Sequence, residues 1–255
     1  KGGFGENPNQ AASAMKFLAL CVLVYLQQLK IKRILFIAAM VASVFLTFSR
    51  SGIVSVILIL ILGTANNWSS KFQLTSKRLF ASLFKMGFLF TGLYIGLVML
   101  VSVLITHFPD FARGAMGDRI DLLLGKSKSS AISEDVGSGG GRGDLLLKYT
   151  NLFVENPLGY GTGFTTDERY NFLNTHNYYL YLAVNLGILA LILYLVYLWL
   201  GIKLSIKSNQ FYYLIIVTLL MFEGLVTHHI FFNRSMLISL AFFDSLIYKK
   251  IADES

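Results

Sequence analysis

Arg50, Arg142 and His176 are the residues whose types suit chemistry on an anionic ligand with a reacting hydroxyl nearby. A guanidinium grips phosphate oxygens through a two-pronged fork and does not lose its proton. An imidazole that reaches water titrates near neutral pH and can take a proton from a hydroxyl. His176 stands in NTHNYYLYLAVNLGI at the start of an apolar run, where the alternative is an interfacial histidine beside Tyr178 and Tyr179 in an aromatic belt. For Arg142 the alternative is a solvated loop charge, and for Arg50 a side chain snorkelling from a helix end. Arg50 is the only charged residue between Ile34 and Ala65. A charge held in hydrocarbon costs about 2.5 to 3.5 kcal/mol even on insertion scales.

The elements that must position these residues are read from composition. Of 255 residues, 55% are hydrophobic and 14% charged, and the mean hydropathy is +0.62. A soluble domain carries roughly a quarter charged residues. The apolar residues fall in long blocks, which predicts an all-α integral membrane protein. The block around Arg50 would be roughly 48 Å long as one helix, against a bilayer core of about 30 Å. It must turn, and Ser49-Arg50-Ser51-Gly52 has the turn chemistry. Seven spans are predicted, near 14–29, 33–48, 51–66, 80–106, 177–200, 211–228 and 235–248. They form one polytopic domain over 1–255, with a large loop over 107–175.

Lys30, Lys32 and Arg33, then Lys71, Lys77 and Arg78, then Lys203 and Lys207, and finally Lys249 and Lys250 share one side, the cytoplasm. The other side holds the N-terminal segment, the Arg50 turn, the 107–175 loop and the His228 to Arg234 turn. The net charge of +8 thus reads as topology; no basic and aromatic interleaving points to nucleic acid. A lone Cys21 excludes an intramolecular disulfide. The opening KGGFGENPNQ has neither an initiator methionine nor a signal-peptide pattern, so the chain is expected to be the C-terminal part of a longer polytopic protein.

Other motifs carry less. GKS at 125–127 lacks the upstream glycine of a phosphate-binding loop, GYGTG at 159–163 lacks dinucleotide spacing, and RGD at 142–144 is a common tripeptide. The Gly- and Ser-rich 125–144 stretch reads as a flexible connection. No Cys and His cluster has metal spacing, and the adjacent His228 and His229 would point apart on a helix. Glu223, inside the sixth span, is a functional candidate; the structural alternative is protonation or pairing with Arg234. Asp244 sits near the inner interface. Intramembrane Glu and His also keep a transporter open.

In order along the chain, GGFGENPNQAA (2–12), FSRSG (48–52), a Gly-x-Arg ahead of a stretch ending ENPLGYGTGF (155–164), and THNYYLYLAVNLGI (175–188) resemble the bacterial O-antigen ligase and polymerase superfamily. The resemblance implies a membrane glycosyltransferase of GT-C-like fold in the bacterial cytoplasmic membrane, with its site facing outward. It implies a polyprenyl-diphosphate-linked oligosaccharide donor and a glycan or lipid-core acceptor, with no metal or other cofactor. A chain-length regulator is a further partner it suggests, beside the membrane lipids. Carried onto this sequence, the catalytic residues are His176, Arg50 and Arg142, with Asn177, Asn9 and Asn7 as further substrate-binding residues. Ala190 departs from the residues common in ligases, which leans the reading toward a polymerase; ligases and protein O-oligosaccharyltransferases that use the same donor are the alternatives.

Overall fold

In the computed structural model the described residues are 8–47, 49–107, 142–167, 169, 175–228 and 230–254. Asn7, His229 and most of the 125–144 stretch lie outside them. Among the described residues the regular structure is entirely helical: α1 (Pro8–Leu26), α2 (Lys30–Leu46), α3 (Arg50–Ala65), α4 (Ser76–His107), α5 (Arg142–Glu155), α6 (Tyr178–Lys207), α7 (Phe211–Val226) and α8 (Arg234–Glu254). Single 3-10 turns occupy Phe164–Thr166 and Ile230–Phe232. Each of the seven expected spans coincides with a helix. Three stretches are long and apolar enough to cross a membrane by length and composition: Asn9–Leu26, Ser76–Gly96 and Tyr178–Lys207. Arg50–Ala65 and Phe211–Val226 are shorter apolar helices.

The chain divides into two units. One comprises residues 83–145, which include most of α4 and the first turn of α5. There Thr91, Ser102 and Thr106 donate to carbonyls four residues back, which keeps hydroxyls satisfied on an apolar helix. The other unit, residues 1–82 and 146–255, packs α1 against α2, α3, α7 and α8, and α6 against α7. Its core is apolar, with Phe17, Leu20, Leu23, Ile59, Ile215, Ile216, Leu219 and Leu220 buried.

The turn expected at Ser-Arg-Ser-Gly is present. Ser49 Oγ accepts from the Gly52 N–H at 3.1 Å and so caps α3. The Ser49 hydroxyl also donates to Asn9 Oδ1 at 2.6 Å, tying the first turn of α1 to the start of α3. Gly52 permits this approach, since a Cβ there would lie 2.7 Å from Ala12 Cβ.

α6 is not the continuous helix that the apolar run over 177–200 predicts. It breaks at Gly187, whose φ of 80° and ψ of −176° are non-helical. The break leaves helical backbone groups without their usual partners, a state tolerated at membrane depth only when other protein groups take them up. The ENPLGYGTGF segment does so. Tyr160 N–H donates to the Val184 carbonyl at 2.8 Å, Gly161 N–H to that of Asn185 at 2.9 Å, and Ile188 N–H to that of Pro157 at 2.8 Å. Buried Asn185 completes the joint, donating to Thr165 Oγ1 at 2.8 Å and accepting from Thr165 N–H at 3.1 Å. The part of the long loop after α5 is therefore built onto α6. A Cβ at Gly187 would strike the Leu158 carbonyl. Gly187→Ala is expected to destabilise the detergent-solubilised protein by about 2 to 4 kcal/mol. Gly143→Ala, in open space in α5, should be neutral; equal unfolding midpoints for the two would contradict the joint.

Candidate active site

His176 owes its position to the residues on either side. Asn177 caps α6, its side chain accepting from Leu180 N–H at 3.1 Å. Buried Thr175 donates its hydroxyl to the Asn177 carbonyl at 2.9 Å. Between them His176 takes a left-handed backbone, φ 49°, a conformation in which histidine is enriched relative to most side chains. The result is an exposed imidazole at the N-terminus of α6. Asn177 is thus a helix cap in this structure.

Against His176 stands His228, in the connection that follows α7. The two rings meet edge to face, centroids 5.6 Å apart, and His228 is buried, 6.3 Å from the Tyr181 ring. His228 is not on a helix, so the expectation that it and His229 would point apart on one does not apply to it. Tyr181 in turn stacks on Tyr178 at 5.8 Å, and Tyr178, Tyr194 and Phe231 pack on one another at ring separations of 5.1 to 5.9 Å.

Arg50 is the first residue of α3 and is exposed. The apparent burial of a charge in an apolar block is removed by the turn itself. Arg142 opens α5 and belongs to the 83–145 unit. Asn9 lies in the first turn of α1, with its Oδ1 taken by Ser49.

The pairing considered for Glu223 is corrected by the fold. Its partner is Lys16 of α1, with which it forms a buried ion pair, rather than Arg234. Ser55 of α3 sits between them, accepting from Lys16 Nζ at 3.1 Å and donating to Glu223 Oε1 at 2.7 Å. Lys16 is 1% exposed, Ser55 0% and Glu223 5%, so the cluster is dry. Sequence reading counted Lys16 as an ordinary member of the first span. Its one signal was a cation in an apolar helix of a chain that carries an acid in another.

These contacts place Arg50 and His176 at the same end of their unit. Ser55 is five residues into α3 from Arg50, and Glu223 is three residues from the end of α7. Beyond that end, Thr227 N–H donates to the Glu223 carbonyl at 2.9 Å, and His228 then meets His176. The exposed guanidinium and exposed imidazole suit an anion beside a hydroxyl that must lose its proton.

The capping role is open to test. Asn177→Ser, which preserves a cap acceptor, is expected to keep stability and transfer activity, while Asn177→Leu loses about 1 kcal/mol of stability. Loss of activity in the Ser variant at unchanged stability would show instead that Asn177 contacts substrate.

A family model described as O-antigen ligase matches residues 35–195. The match runs through Arg50, Arg142 and His176 and covers more than half of the chain. No curated protein and no solved structure matches. With its apolar helices and the ordered motifs from FSRSG to THNYYLYLAVNLGI, the chain belongs to the O-antigen ligase family.

Proposed function

We propose that the protein polymerises lipid-diphosphate-linked oligosaccharide repeat units at the outer face of the bacterial cytoplasmic membrane, by a metal-independent, inverting transfer. Membership of the family supports the coarser statement, a multi-pass membrane glycosyltransferase of the O-antigen ligase and polymerase type acting on lipid-linked oligosaccharide and a glycan acceptor. The observation that supports the transfer chemistry is the common placement of exposed Arg50 and exposed His176 at one end of a helical unit, one at the N-terminus of α3 and the other at the N-terminus of α6; the preference for polymerisation rests on Ala190.

In this reaction an acceptor hydroxyl oxygen attacks the anomeric carbon of the donor. The bond from that carbon to the diphosphate breaks on the opposite face, and the centre inverts. His176 takes the hydroxyl proton. Arg50 neutralises the charge that grows on the departing diphosphate, a fixed electrostatic role of the kind that usually contributes most to such steps, and the family resemblance assigns the same role to Arg142. The helices over the seven expected spans form a GT-C-like membrane domain in this reading, with Asn7 and Asn9 at the sugar or phosphate. The basic residues at the start of α2, just before and at the start of α4, at the end of α6 and near the end of α8 lie in the cytoplasm in this reading, and the Arg50 end faces outward.

Transfer to a lipid core uses the same donor and the same side chains, and the family's description favours that form. The product separates the two. With a defined lipid-diphosphate oligosaccharide and the purified protein, polymerisation gives a ladder, whereas a ligase gives a single transfer to an added core acceptor. His176→Ala is expected to lower turnover by about 100- to 10,000-fold in a normally inserted protein. Arg50→Lys keeps charge but loses the fork and is expected to be strongly impaired. Full elongation by His176→Ala and Arg50→Ala would rule out this assignment.

A further inference from the structure

Lys16, Ser55 and Glu223 take no part in the proposed bond exchange, yet they join the helices on which it depends. We propose that Lys16 and Glu223 are positioning residues for the transfer, a buried charge pair that sets Arg50 in its place relative to His176. The inference rests on the reading of Arg50 and His176 as the reacting site.

The connection can be followed residue by residue. Lys16 and Asn9 lie two turns apart on α1, so they share a face, and both reach α3. Asn9 accepts from Ser49, which caps the helix immediately before Arg50. Lys16 donates to Ser55, about a turn and a half beyond Arg50. Two ties at different depths fix the axial and rotational setting of α3 against α1. Ser55 then donates to Glu223 of α7. The Glu223 carbonyl holds Thr227 N–H, and the next residue, His228, packs on His176.

Stability alone is a weak reason for this cluster. A dry ion pair gains little over apolar residues of the same volume, because desolvation offsets the attraction. What it offers is selectivity of register: the Nζ, hydroxyl and carboxylate satisfy one another in one setting of three helices. A slide of α7 leaves a buried charge without its partner, and a slide of α3 takes the Ser55 hydroxyl away from both charges, whereas an apolar contact tolerates such a shift.

The test measures transfer kinetics on the full chain with a defined lipid-diphosphate oligosaccharide. Lys16→Met with Glu223→Leu removes both charges and fills the space, and the exchanged pair Lys16→Glu with Glu223→Lys restores opposite charges around Ser55. The apolar pair is expected to insert and elute as a single species. Its kcat should fall by about 10- to 100-fold, as misplacement from a distance does, with the donor KM changed less than about threefold. The exchanged pair should recover about tenfold or more of that loss relative to the apolar pair. Wild-type kcat in the apolar pair, or an exchanged pair no better than it, overturns the positioning role. If Arg50→Ala and His176→Ala abolish transfer while the apolar pair keeps full kcat, only this inference falls. If those two variants keep full transfer, the site reading falls with it.

Discussion

The ion pair of Lys16 with Glu223, with Ser55 hydrogen-bonded to both, is the interaction on which one end of the helical unit depends. Three charged or hydroxyl groups withdrawn from water must satisfy one another, and each belongs to a different helix. That requirement links α1, α3 and α7 more specifically than their apolar faces could. Arg50 lies just above the α3 member, and His228 just beyond the α7 member. The exposed residues expected to do chemistry are placed by buried residues that do none.

A second constraint acts on α6. Its break at Gly187 would be costly in an apolar setting, and the ENPLGYGTGF segment relieves it by supplying backbone donors and an acceptor where the helix lacks them. The same exchange anchors the chain between α5 and α6. Asn185, bonded through its side chain to Thr165, fixes the register of that docking. Two of the motifs that suggested the family are thus complementary halves of one joint, and THN at the head of α6 presents His176 above it.

What the sequence revealed follows local chemistry. The hairpin at Ser-Arg-Ser-Gly was legible because a block too long for one span had a single place to turn, and Ser49 is the cap that such a place needs. The helices over the seven expected spans were legible as apolar runs. His176 was singled out by residue type and position, and the family match spans it. Lys16 was hidden because its partner lies 207 residues away, and nothing local distinguishes a paired lysine from one that snorkels. Gly187 was hidden for a related reason, since a glycine inside an apolar helix breaks it only when another segment takes up the freed groups. The packing of His228 on His176 likewise depends on where α7 ends, and spacing along the chain does not record that.

The account stands on the claim that Arg50 and His176 serve one bound lipid diphosphate and its acceptor. The most direct measurement is an electron cryomicroscopy structure of the full protein with a non-transferable prenyl-diphosphate oligosaccharide in a lipid nanodisc. The account predicts the diphosphate within about 2.7 to 3.1 Å of the Arg50 guanidinium nitrogens, with the anomeric carbon facing a space that His176 borders. A diphosphate bound away from Arg50, or a sugar whose anomeric carbon has no open path toward His176, would contradict it.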